Sequence, residues 1–415
     1  MTPIQKIITV SALTSGILVA GGYKIPEQSL NSMALGAAYV AHTTDADTAY
    51  FNPANMSFLD SGLSYIESGI TLAHLPENTF AGVQYLSGIG GVPASGNSET
   101  ENLPIPYFHY VAPAIGKWRY GVSMVAPAGL TKRWESPVQK TFAEEFTLQN
   151  VELNPVVSYK VNEKFSVGGG LRLVYSMGKV YSDGSDLGVP YKREMEGDTL
   201  ALGYNLALAW RPTSDIAVGV TYRSNIDLDE EGEANLYLGK VGQQYSASVS
   251  VPIPAALNIG VSKTWDDRVT VEFVYERTFW SSYENLDFEY ASAIQPGLVG
   301  SFDDPKAKDW VDTNTYRLGV TYILNDRLTL MGGYAYDETP VPVKTLSYEL
   351  PDSDAQIFSG GFKYQQTNEI SWGMAILYDK KESRTLALGE NENGIVGKFT
   401  DGGAILATVG LSYRF

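Results

Sequence analysis

Across residues 164–211 apolar and polar side chains alternate. In KFSVGGGLRLVYS the residues Phe165, Val167, Gly169, Leu171, Leu173 and Tyr175 fall on one side, and Ser166, Gly168, Gly170, Arg172, Val174 and Ser176 on the other. TLALGYNLALAWR repeats this, setting Leu200, Leu202, Tyr204, Leu206, Leu208 and Trp210 against Ala201, Gly203, Asn205, Ala207, Ala209 and Arg211. A period of two marks a β-strand whose faces see different surroundings. Runs of this kind predict strands near 63–73, 104–113, 118–127, 148–159, 164–176, 199–211, 215–226, 251–264, 268–280, 313–324, 327–337, 354–366, 369–380 and 401–415. That makes fourteen, each about ten residues long, the length that crosses a bilayer at a tilt.

Two architectures produce such strands. A sandwich turns the apolar face to a core, and a transmembrane barrel turns it to lipid. Three features favour the barrel. Aromatic residues stand at strand ends, among them Tyr175, Trp210, Tyr222, Trp265, Trp280, Tyr334 and Tyr378. The opposite face is Gly, Ala, Ser and Thr with an occasional Arg, as a lumen requires. The strands are also longer than the usual five or six residues of a sandwich. The register is strongly specified, because a one-residue slip would put Arg172 into lipid at a cost of roughly 2–4 kcal/mol. The predicted fold is therefore all-β, a 14-stranded antiparallel transmembrane β-barrel covering 61–415. Short connections (APAIGK, KVNEKF, RPTSD, TWDDR, LNDR, QTNE) alternate with long ones, including 74–103, 128–147, 177–198, 227–250, 281–312, 338–353 and 381–400. The long ones are expected outside the cell and both termini in the periplasm, which puts the protein in the bacterial outer membrane.

The front of the chain breaks the pattern. DADTAYFNPANM (45–56) is small, polar and interrupted by Pro53, which has no N–H to give a ladder. Residues 21–60 are too polar for lipid and too irregular for the wall, and they have the size to plug the lumen of such a barrel. Before them, Lys6, an apolar stretch from Ile7 to Val19 and the small residues Ala20, Gly21 and Gly22 read as a secretory signal over 1–20.

Composition narrows the function. The chain has no cysteine and carries 30 Lys+Arg against 47 Asp+Glu, with no basic patch, so nucleic-acid binding is excluded. His42, His74 and His109 are scattered, and no hydrolase, metalloprotease or phosphate-loop motif is present. Neither an enzyme nor a cofactor or metal is expected.

GGYKIPEQSLNSMALGAAYVAHTTDADTAYFNPANM resembles the N-terminus of FadL-type outer-membrane transporters of long-chain fatty acids, as do VAPAGLTKRW (125–134), TYRSNIDLD (221–229), TYRLGVTYILNDRLTLMGGYAYDETPVPV (315–343) and the last strand. The likeness spans the mature chain. It implies a monomeric barrel, passive carriage of fatty acids or aromatic hydrocarbons, a hatch carrying the motif Asn52, Pro53 and Ala54, and a mature start at Gly21, Gly22 and Tyr23. It further implies a kink in the third strand that opens the wall sideways. Here Pro127, Ala128 and Gly129 fall late in that strand, where they read equally as its end.

SPVQKTFAEEF (136–146) predicts a short helix capped by Ser136 with Gln139 at the third position, and Val138, Phe142 and Phe146 as a ligand-capturing stripe. The loop 281–312, with Leu298, Val299, Phe302 and Trp310, is the expected opposite wall. Arg172, Arg223 and Arg317 are candidate partners for a fatty-acid carboxylate, the competing fate being pairing with acids such as Glu272 or Glu276. Where family members carry a lysine before the tenth strand this chain has Thr313, which leaves neutral hydrocarbons open as substrates. Phe415, closing the last strand, resembles the signal read by the barrel insertion machinery. Expected partners are thus a hydrophobic ligand, membrane lipid and lipopolysaccharide, and that machinery. A polar-solute porin and a surface receptor role remain alternatives.

Overall fold

The computed structural model describes residues 21–86, 88 and 90–415. The expected signal segment, 1–20, lies outside the described residues. Fourteen antiparallel strands close a barrel. In order they are Tyr65–Leu75, Glu101–Val111, a third strand in two parts (Trp118–Val125 and Gly129–Arg133), Glu145–Lys160, Phe165–Asp183 and Tyr191–Trp210. The seventh is Ile216–Arg223 continued by Ile226–Leu238, and the eighth Val241–Ile253 continued by Ala256–Trp265. The remainder are Val269–Thr278, Thr313–Asn325, Leu328–Asp337, Ala355–Gln365, Ile370–Lys381 and Gly403–Arg414. The first strand pairs with both the second and the fourteenth, and Ser64 and Phe415 exchange backbone hydrogen bonds where the ring closes.

The apolar face points out. Leu200 and Leu202 on the sixth strand are 64% and 69% exposed, while Asn205 and Ala207 between them and the next turn are buried. From Leu200 to Trp210, at about 3.3 Å per residue and roughly 40° tilt, the belt stands roughly 25 Å high, a bilayer core. An exposed apolar band this large is stable only against hydrocarbon. The consecutive positive φ values of Asp266 (50°) and Asp267 (52°) make a tight hairpin between the eighth and ninth strands, with the twist such turns need.

Two expected loops are mainly strand. Residues 177–198 turn only between Asp183 and Tyr191, and 227–250 only at residues 239–240. The alternation continues there with its chemistry reversed. Glu196 and Asp198 extend the outer face of the sixth strand, and Asp227, Asp229 and Glu231 lie exposed on the seventh, whereas Ile226, Leu228 and Leu236 are buried inside. Above the lipid the ribbons meet water outside and each other's loops inside, so charge marks the end of the membrane rather than the end of the strand.

Residues 21–58 pack against the inner face. Helix Leu30–Ala34 is capped by Ser29, whose hydroxyl accepts from Ser32 N. It faces the eleventh to fourteenth strands, and the 3-10 turn Pro53–Phe58 faces the third to sixth. Inner-face glycines permit that approach. A Cβ on Gly168 would stand 2.7 Å from Ala54 N, and one on Gly373 2.6 Å from the Leu30 side chain. Arg119, buried, donates to the carbonyls of Met56, Leu59, Asp60 and Leu63, which ties down the end of this segment.

Candidate functional site

A file of cavities runs from the loop end of the barrel toward its middle. The outermost holds about 250 Å³ and is lined by Phe142, Phe146, Tyr191, Arg193, Phe288, Phe302 and Tyr348. Its walls come from helix Pro137–Ala143, the sixth strand and the 281–312 loop. The helix forms as expected, but Ser136 makes no side-chain cap. Its hydroxyl stands against Gly96, and Gln139 instead donates to Ala94 O. Val138 and Phe142 lie on the helix, whereas Phe146 begins the fourth strand. Val138 is buried in the loop core, and Phe142 and Phe146 line the cavity. On the cavity wall Lys308 pairs with Glu349. Burial alone would lift the Glu349 carboxyl, and the Lys308 ammonium holds it below its ordinary range.

A second cavity of about 20 Å³ shares Phe146, Lys308, Ser347 and Glu349 with the first and ends on Tyr23. Tyr23 is boxed by Trp280, Trp310 and Tyr283, with ring centres 4.8, 5.6 and 6.3 Å away, and its hydroxyl donates to Pro252 O. The residues before it are fixed as tightly. Gly21 N donates to Asp337 and Gly22 N to Asp352 at 3.0 Å. Gly22 has φ +73°, and a Cβ there would stand 2.5 Å from Trp280, so only glycine fits.

Beyond Tyr23 lies a third cavity, about 70 Å³, which brings together Lys24, Arg172, Arg223, Arg317 and Glu276. All three arginines anticipated as ligand contacts therefore face one space, and each also has an acid. Arg317 pairs with Glu276 at 3.3 Å, and Lys24 joins the same carboxylate at 2.7 Å. Arg172 pairs at 3.0 Å with Glu152, which also takes Arg223. Glu272, expected as an arginine partner, instead accepts from the N–H groups of Val40, Ala41 and His42 at 2.6, 2.7 and 3.0 Å. Those amides have no helix or strand partner, and a buried carboxylate satisfies three at once. Arg223 lies over the Tyr50 ring at 4.3 Å, and its Nη1 has no hydrogen-bond partner.

The cavity reaches Pro127, in the break of the third strand. The ladder between the second and third strands holds four pairs, Phe108–Met124 to Val111–Gly121, and the two meet again above the break, where Glu99 N donates to Arg133 O at 2.8 Å and Arg133 pairs with Glu101 at 2.7 Å. Past the four pairs the third strand bonds to the leading segment. Ile25 N donates to Pro127 O at 2.9 Å, and Gly129 N to Tyr23 O at 2.9 Å. The Gln28 amide donates to Ala126 O at 2.7 Å and accepts from Ala126 N at 3.0 Å. His109 bonds Ser123 at 2.9 Å and Gln28 O at 2.8 Å. Asn52, farther along, donates to Val40 O at 2.8 Å and Leu208 O at 3.2 Å and accepts from Ala54 N at 3.1 Å. Pro53 and Ala54 then lead the 3-10 turn against the fifth strand.

Sequence reasoning missed Gln28, His109, Glu152 and Arg193. One signal was available for the gap: Pro104 and Pro106 remove N–H groups from one side of the second strand, the mark of an edge.

The family model for "Outer membrane protein transport protein (OMPP1/FadL/TodX)" matches residues 11–415. A long-chain fatty acid transport protein of Escherichia coli O6:H1 is 24% identical over 97% of this chain and 96% of its own. The crystal structure of a Pseudomonas aeruginosa FadL homologue superposes with a TM-score of 0.79, at 21% identity, over 95% of this chain and 99% of that one. The Pseudomonas putida toluene transporter TodX gives 0.71 at 18% identity over 93% and 98%.

Proposed function

Because the chain belongs to the OMPP1/FadL/TodX family of outer membrane transport proteins, we propose that it carries hydrophobic molecules sideways out of its own wall. It is an outer-membrane channel and not an enzyme. Ligand collects in the outer cavity, passes Tyr23 when residues 21–60 shift as a hatch, rests in the inner cavity and leaves through the break at Pro127, Ala128 and Gly129. No step in this path requires an energy source. The observation that carries the reading is the replacement of the second strand by residues 23–28 along the broken third strand. A backbone edge inside a bilayer must be bonded, and here the bonding partner is the segment that also blocks the lumen.

Long-chain fatty acids are the favoured substrate, supported by the E. coli relative's name and by Arg172, Arg223 and Arg317 around one cavity. Aromatic hydrocarbons are the second reading, supported by the toluene transporter's likeness in fold and by Thr313. A polar porin is disfavoured because the leading segment packs across the inner face. Proteoliposomes separate these readings. Labelled oleate or toluene should enter the vesicle membrane at rates that require the protein, with no osmotic swelling in small sugars. Rapid swelling in sugars would defeat the proposal.

A further inference from the structure

His109 stands at the corner of the break. It is buried on the inner face of the second strand, opposite Ser123, one pair before the ladder breaks off at Phe108–Met124. Its imidazole bonds in two directions. Nδ1 meets the Ser123 hydroxyl at 2.9 Å, across the ladder, and Nε2 meets Gln28 O at 2.8 Å, in the leading segment. A carbonyl oxygen can only accept, so Nε2 carries the hydrogen, and Nδ1 of the neutral ring accepts from Ser123. One side chain thus uses both nitrogens to join the second strand, the third strand and the leading segment. Its bond falls on the residue whose own amide closes Ala126 N and Ala126 O. The rings of Tyr107 and Tyr50 flank the imidazole, with centres 5.7 and 6.3 Å away, and Tyr50 also lines the inner cavity.

We propose that His109 is a positioning residue for lateral exit: it latches residues 23–28 over the break, and the wall parts there only after Nε2 has released Gln28 O. Gln28 and His109 are both buried. Letting go therefore separates a buried donor from a buried acceptor, and that cost holds the resting state shut. A side chain with one donor and one acceptor of similar reach can stand in for the imidazole. An apolar ring of similar size cannot, because it leaves Gln28 O unbonded while the wall is still closed. The inference rests on the transport reading and deepens it, by naming the group that governs opening.

The chain has no cysteine, and Ala128, in the break, is buried. Ala128→Cys in the full-length protein, reconstituted in nanodiscs, therefore carries one thiol that N-ethylmaleimide reaches only when the break opens. Its labelling rate, read by intact mass, follows the open population when reclosing is fast. Adding His109→Phe should raise that rate about fivefold or more, the effect of one stranded buried acceptor. His109→Gln should return it to the parent's value. His109→Asn, which reaches Ser123 but is too short for Gln28 O, should behave like His109→Phe and serves if that variant does not fold. Val174→Cys, a buried thiol on the inner face of the fifth strand, is the control and should label no faster with either change. An unchanged rate in His109→Phe and His109→Asn overturns the inference. So does a rate in His109→Gln as high as theirs, or an equal rise at Val174→Cys. Oleate uptake is measured in parallel. Faster labelling of Ala128→Cys without any uptake would leave the latch standing and defeat the transport reading instead.

Discussion

Two seams of the same barrel behave in opposite ways. Between the fifth and sixth strands, pairing runs without interruption from Asp183–Lys192 to Phe165–Trp210. Between the second and third it stops after four pairs, and Tyr23, Ile25 and Gln28 complete the bonding. Past the fourth pair the third strand is held by a part that is not wall. On the proposed lateral path, the short seam is where opening would break the fewest ladder bonds. Parting the long seam would break a full ladder inside hydrocarbon, whereas at the short seam the third strand is held past its fourth pair by a handful of bonds to a segment outside the wall.

The largest effect is expected from stapling the leading segment to the third strand. Lys24 and Ala128 form an isolated antiparallel bridge, a spacing that accepts a disulfide. Oxidised Lys24→Cys/Ala128→Cys should lose uptake by at least about tenfold, with recovery on reduction, since the lock removes the competent state. The same staple at Ser176 and Thr199, partners in the continuous seam, should leave uptake unchanged. Equal effects of the two would show the seams to be equivalent.

Gln28→Leu is a milder test. It strands Ala126 N and Ala126 O at the break, a loss of about 1–3 kcal/mol for each group left unbonded. The melting temperature should fall while the initial rate of uptake rises. A variant as stable as the parent would mean that water or the second strand replaces Gln28. Smallest of all is Lys179→Gln on the outside of the continuous seam. Its exposed pair with Glu196, at 3.2 Å, should contribute within about 1 kcal/mol, and uptake should be untouched.

Much of this architecture is local, and local features are legible in a sequence. Leu200, Leu202 and Leu206 against Gly203, Asn205 and Ala207 already say that one face meets hydrocarbon and the other a narrow interior. Pro53 already says that its neighbourhood is not wall. Charge misled the reading at 177–198 and 227–250, because an acidic outer face and a loop look alike until the inner residues Ile226, Leu228 and Leu236 are seen to pack.

What the sequence determined alone was the strand period, the count, the outward face and the anomalous front, all properties of residues within a few positions of each other. Which acid each arginine takes, how Tyr23 comes to lie in a box of Trp280, Tyr283 and Trp310, and why Gln28 bonds Ala126 were decided only by the closed ring. Those contacts join residues far apart along the chain, and no periodicity encodes which distant groups a barrel will bring to the same depth.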